Sequence, residues 1–210
     1  DFKLASGVYP LVEFRKKVNS YDYNSAMDDI EPICKKKENL VPQIVNDIGK
    51  CYLYAPDAKL EYAESLEKLA SSENFLKDSL YNAYFYIGRI YNKNAKYQEK
   101  ACAAFIKAMD YAGDDFSYDN ALWYYLNSAL KISIKDAIDA LKNYGPSIHD
   151  KDYFDDFFET LSLRMISRHV WSAYYQTAIS IEPYASKETV AKYSYVSARL
   201  LQEGLLKLDG

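Results

Sequence analysis

In Tyr84-Phe85-Tyr86-Ile87-Gly88-Arg89-Ile90-Tyr91, a large ring is followed by Ile87 at +3, Gly88 at +4 and Tyr91 at +7. Those offsets put all four residues on one side of an α-helix, and the missing side chain at Gly88 lets a neighbouring helix come close. After the polar turn Asn92-Lys93-Asn94, Ala101, Phe105 and Ala108 form a second stripe at spacings of four and three. This predicts a second helix folded back on the first. Gly113-Asp114-Asp115 supplies the stop and turn chemistry that closes the pair.

The same arrangement returns elsewhere. Downstream it is Trp123, Leu126, Asn127 and Leu130, with a second helix marked by Ala137, Leu141 and Tyr144 and stopped at Gly145-Pro146. A further copy is Phe158, Leu161, Ser162 and Met165, followed by a helix from about Trp171 to Ile181 that Pro183 ends. Upstream stand Val45, Ile48, Gly49 and Tyr52, with a second helix over Leu60 to Ala70. The anchors 45, 84, 123 and 158 lie 39, 39 and 35 residues apart, the period of stacked two-helix repeats.

The expected architecture is all-α, a single array of antiparallel helix pairs over residues 1–210. Residues 1–40 form irregular N-terminal helices, 41–182 the two-helix repeats, and 183–210 a C-terminal helix or cap. In the first segment Leu11, Val12 and Val18, then Ala26 and Ile30, suggest one more pair, with a break near Pro32. In the last, Thr189 to Leu206 reads as one long helix carrying Tyr193, Val196, Leu200 and Leu201. One repeat cannot bury its apolar face alone, so stability is expected from neighbour stacking, which curves such an array into an α-superhelix with a concave surface.

Composition narrows the function classes. Seven Gly and six Pro among 210 residues are few for a hairpin-rich sheet protein. The net charge is −4 and the basic run Lys35-Lys36-Lys37 reads as a solvated helix end, so no nucleic-acid partner is expected. No segment reaches the roughly 18 apolar residues of a membrane span. The three cysteines, Cys34, Cys51 and Cys102, form no C-x-x-C pair and read as small buried hydrophobes rather than a disulfide framework or zinc site. Tyr, at 22 residues, suits helix packing and a binding groove equally. The chain begins at Asp1 without a Met or a leader pattern, as a processed form or a fragment would.

The motif Tyr84-x-x-Ile87-Gly88-x-x-Tyr91 with Ala101, Phe105 and Ala108 resembles the tetratricopeptide repeat, with one extra residue between the helices. Asn127 and Ser162 stand where that family prefers Gly. More narrowly, three segments look like the superhelical, non-catalytic region of bacterial soluble lytic murein transglycosylases: Ala121 to Leu126, His149 to Asp156, and Ala191 to Leu201. That resemblance implies a scaffold in the periplasm or cell envelope. It would contact peptidoglycan or a catalytic domain, which in the family lies C-terminal to the helical region and works with a Glu in a Glu-Ser motif. Glu64-Ser65 matches the dipeptide but sits inside a predicted repeat helix with no Gly-Leu-Met-Gln-like segment after it, so it is read as a decoy.

No catalytic residue, metal site or cofactor is expected. His149 and His169 are the only histidines. The acidic groups Asp155, Asp156, Glu159 and Asp114, Asp115, Asp119 lack the loop pattern that wraps a cation and instead open helices, where they oppose the macrodipole. Candidate ligand or partner contacts are first-helix residues turned away from the packing stripe: Asn82, Phe85, Arg89 and Asn92 in one repeat, Tyr124 and Ser128 in the next. By the tetratricopeptide resemblance that face lines the concave groove. The rival functions are a protein-interaction adaptor that holds a peptide in the groove, and a glycan-cleaving enzyme using Glu64 or the acids near Asp155.

Overall fold

The computed structural model describes residues 8–55, 60–73 and 75–206, with side chains from residue 10 onward. Among them lie eleven α-helices and no strand. They are α1 (Val8–Asn19), α2 (Tyr23–Cys34), α3 (Pro42–Tyr54), α4 (Leu60–Ala70), α5 (Leu80–Tyr91), α6 (Gln98–Asp110), α7 (Asp115–Ile132), α8 (Ile134–Tyr144), α9 (Asp155–Ser167), α10 (Trp171–Ser180) and α11 (Lys187–Gln202). The helices pack against their neighbours as an all-α array, in two compact units, residues 1–121 and 122–210, with the division inside α7.

In the first unit α5 packs on α6, its partner in the pair, and also on α4 and α3 of the preceding one, while α1, α2 and α3 repeat the scheme one pair earlier. The predicted stripe is the reason. Ile87, Gly88, Tyr91, Ala101, Phe105 and Ala108 are all buried, as are Val45, Ile48 and Gly49 on α3. The two glycines set the helix separation. A Cβ on Gly49 would stand 2.3 Å from the Tyr86 ring of the next pair, and one on Gly88 would stand 2.6 Å from the Phe105 ring of its own pair. No side chain fits between such surfaces at interior packing density.

Polar bonds run one repeat back along the chain. Ser79 Oγ donates to the Leu40 carbonyl at 2.6 Å, Asn82 Nδ2 to the Pro42 carbonyl at 3.0 Å, and Tyr86 OH to Asn46 Oδ1 at 3.1 Å. Lys93 Nζ reaches the Leu53 carbonyl at the end of α3, where the helix dipole favours a cation. The separations in sequence, 39 or 40 residues, match the 39-residue spacing of the first three anchors to within one residue. Arg15 on α1 and Asp47 on α3 make a similar tie at 3.2 Å, with the carboxylate buried and further held by Gln43 and Asn46.

In the second unit α9 packs on α8, α10 and α11. Tyr193 OH donates to the Phe158 carbonyl at 2.8 Å across 35 residues, and Arg164 reaches the Leu130 carbonyl across 34. The latter is the same cation-to-helix-end tie as Lys93 to Leu53. Thus α11 stacks on α9 and α10 as a further first helix, with Tyr193, Ser197 and Leu200 on its buried side.

Two boundaries depart from expectation. Pro32 does not break α2, which runs on to Cys34. It falls in the last turn, where its missing N–H costs a single bond. The C-terminal helix stops at Gln202 rather than Leu206, because Gly204 takes φ +70° and turns the chain. The Leu205 N–H then bonds the Leu200 carbonyl and the Gly204 N–H the Leu201 carbonyl, the paired bonds of a Schellman cap.

Candidate functional site

Two other helices end in the same cap, but without glycine. After α1 the left-handed residue is Tyr21, φ 62°, with Asp22 N–H bonded to the Lys17 carbonyl and Tyr21 N–H to that of Val18. After α9 it is His169, φ 57°, with Val170 N–H bonded to the Met165 carbonyl and His169 N–H to that of Ile166. For L-residues this conformation costs on the order of 1 kcal/mol that glycine would avoid. Each of these rings opens onto a surface cavity.

The Tyr21 cavity, about 510 Å³, lies at the C-terminal ends of α1 and α3 and is lined by Val18, Asn19, Tyr21, Tyr23, Lys50 and Tyr54. Tyr21 is 80% exposed and stands edge-on to Tyr23, with ring centres 6.3 Å apart. Tyr23 stacks on Tyr54 at 5.5 Å. Arg89 on α5 completes the row: its NH2 donates to Tyr54 OH at 3.0 Å, and its guanidinium carbon lies 5.8 Å from the Tyr54 ring and 5.7 Å from those of Phe85 and Tyr86. Lys93 Nζ lies 5.9 Å from the Tyr54 ring. The result is a row of π-faces and cations over the ends of three successive first helices, able to stack on flat groups and to pair with anions. Burial, and behind it the nearby Tyr54 and Tyr21, raises the Tyr23 pKa and keeps its hydroxyl protonated.

Of the six residues expected on this face, Arg89 alone belongs to the row as an accessible group. Asn82 is spent on the Pro42 carbonyl, and Asn92 caps α5 while its carbonyl accepts from Gln98 Nε2 at 3.1 Å. Phe85 is not turned outward but buried, stacked on Tyr81 at 5.6 Å and edge-on to Phe105. Ser128 is buried as well, its hydroxyl donating to the Tyr124 carbonyl at 2.8 Å. For Phe85 the reason is that α5 packs on its own partner and on the preceding pair, so its buried arc is wider than the four-residue stripe. Tyr124, half-buried, stands edge-on to Trp123 at 5.0 Å in the second unit. Tyr21, Tyr23 and Tyr54 were missed, because helix ends carry no periodic signal. Only the positive φ of Tyr21 marks them, and that is a property of the backbone.

The other candidate groups occupy structural positions. Glu64 and Ser65 are exposed on α4, opposite its buried Ala63, Leu66 and Ala70. Asp155 is a clamp between α9 and α11: its Oδ1 accepts from Ser186 Oγ at 2.6 Å and Thr189 Oγ1 at 2.7 Å, while Asp156 and Glu159 face solvent. Asp114 caps α7 by accepting from the Ser117 N–H at 2.7 Å. Burial pushes the Cys34 thiol up to about 11 and that of Cys51 to about 12, which removes nucleophilic thiolate from both. Among the described residues no three His, Cys, Asp or Glu side chains converge on a metal position, and no helix is long and apolar enough to cross a membrane. No family model, curated protein or solved structure matches the chain.

Proposed function

We propose that this chain is a non-catalytic helical-repeat binding scaffold whose contact face is the row formed by Tyr21, Tyr23, Tyr54 and Arg89. The observation that carries this reading is Tyr21 itself. A residue that only ended α1 would be glycine, whereas this one holds a ring 80% exposed in a conformation that disfavours it. Strain retained at a surface ring is supported best by a ligand that the ring contacts.

The finer reading is that the scaffold belongs to a lytic-transglycosylase-like protein of the cell envelope and contacts peptidoglycan. It rests on the resemblance of the three quoted segments, and the chemistry of the row suits it: sugar rings stack on tyrosine faces and stem-peptide carboxylates pair with Arg89 and Lys93. The adaptor reading is favoured by the same cations, since an extended acidic peptide would meet them equally well.

Co-sedimentation of the chain with purified peptidoglycan sacculi tests the proposal, using Tyr21→Ala, Tyr54→Ala and Arg89→Ala. Binding that all three variants weaken supports the row as a cell-wall contact. Sacculus binding unchanged by them would remove the row from the function. No sedimentation, together with anisotropy changes of a labelled glutamate-rich peptide that the variants abolish, would assign the row to a protein partner. Release of soluble muropeptides, lost in Glu64→Gln, would overturn the non-catalytic reading.

A further inference from the structure

The second strained ring, His169, borders a cavity of about 730 Å³ between α8, α10 and the turn after α11. That volume falls in the range of small-molecule sites, roughly 300 to 1,000 Å³. Its walls include Ile138 from α8, Trp171 at the start of α10, and Leu205 and Leu206 from the turn. Leu205 is 50% exposed, although the Schellman turn at Gly204 brings it back against the helices. The polar part of its lining includes Lys142, His169 and Gln176, and neither Lys142 nor His169 makes a hydrogen bond or an ion pair among the described residues. Asp139, one turn from Lys142, is already held by Lys135 at 2.8 Å. The His169 imidazole is set edge-on to Trp171, ring centres 5.1 Å apart.

We propose that this cavity binds an apolar carboxylate, its hydrocarbon part against Ile138, Trp171 and Leu205 and its carboxylate between Lys142 and His169. Three features converge on that chemistry. The cavity has an apolar wall that leaves a large side chain half exposed. Two of its polar lining groups, the exposed Lys142 and His169, are nitrogen donors suited to an anion. And the left-handed residue at its edge is an imidazole where glycine would end α9 at lower cost. An apolar cation would meet Lys142 unfavourably, and a neutral chain would gain no charge-assisted pair with it. The site lies wholly in the second unit and stands or falls separately from the Tyr21 row.

The test is isothermal titration calorimetry of the full chain with decanoate, decanol and decyltrimethylammonium. An acetylated peptide ending in leucine, with its C-terminus free or amidated, separates a free amphiphile from a chain terminus as the source of the carboxylate. One site is expected for decanoate or the free-acid peptide, about tenfold tighter than for its neutral analogue, as loss of one charge-assisted pair predicts. His169→Gly, which keeps the turn, and Lys142→Gln should each erase most of that preference while circular dichroism stays unchanged. Equal binding of decanol and decanoate, tighter binding of the cation, or no saturable binding of either carboxylate would overturn the proposal. So would a carboxylate preference untouched in both variants.

Discussion

The two units use one repeat spacing with opposite chemistry at its small position. In the first unit that position is glycine, Gly49 and Gly88, and rings of Tyr86 and Phe105 fill the space a side chain would need. In the second it is polar. Asn127 donates to the Trp123 carbonyl at 2.9 Å, Ser162 to Tyr174 OH at 3.2 Å, and Ser197 is buried with no hydrogen-bond partner among the described residues. Of these, the Ser162 bond spans two helices while the Asn127 bond stays within α7, so the α9–α10 pair has a side-chain bond where the first unit has close approach of backbone to ring. The ties between successive first helices differ likewise: an ion pair on a buried carboxylate, Arg15 to Asp47, against hydroxyls on Asp155.

Substitutions can break or sharpen that contrast. Gly49→Ala should have the largest effect, a loss of about 3 kcal/mol in urea unfolding, since overpacking against a buried ring outweighs the gain in helix propensity. Gly88→Ala should behave similarly, and Gly113→Ala, with nothing within 4 Å of the new Cβ, should be close to neutral. If Gly49→Ala were as mild as Gly113→Ala, close approach would not be what holds the first unit together.

Asp155→Ala should cost about 2 kcal/mol, because two hydroxyls lose a charged acceptor. Thr189→Val should cost about half of that, and the two substitutions combined should cost less than their sum. Full additivity would show that the clamp is not one unit.

The strained caps should respond in the opposite direction. Tyr21→Gly and His169→Gly are each expected to raise stability by about 1 kcal/mol, while Gly204→Ala lowers it by a similar amount. A destabilised Tyr21→Gly would mean that the ring is kept for packing, which would undercut the binding row. The smallest pair is at the polar position. Ser162→Ala should lose about 1 kcal/mol with its bond to Tyr174, whereas Ser197→Ala should be neutral or slightly stabilising, since its hydroxyl is buried unpaired.

The helix pairs were legible because burial imposes a period. A helix that packs along one face must repeat apolar residues at three and four, and Tyr84 to Tyr91 and Ala101 to Ala108 each do so on either side of a polar turn. The repeat length was legible for the same reason, and the one-repeat-back bonds of Ser79, Asn82 and Tyr193 fall at that interval. Contact residues were less legible. Phe85 and Ser128 lie off the four-residue stripe yet are buried; α5 has neighbours on more than one side, and a linear pattern registers only the strongest of them.

By itself, then, the sequence determined the helical class, the pairing of helices, the repeat spacing and the places where glycine must stand between packed surfaces. These follow from local periodicity and from the volume of single side chains. Tertiary structure alone decided where helices end without glycine and which rings gather there. Tyr21, Tyr54 and Arg89 come from three different repeats, and the turn that exposes Tyr21 depends on a backbone angle that its residue type disfavours. Such a row has no period along the chain, because it runs across the repeats, from the end of one helix to the end of the next.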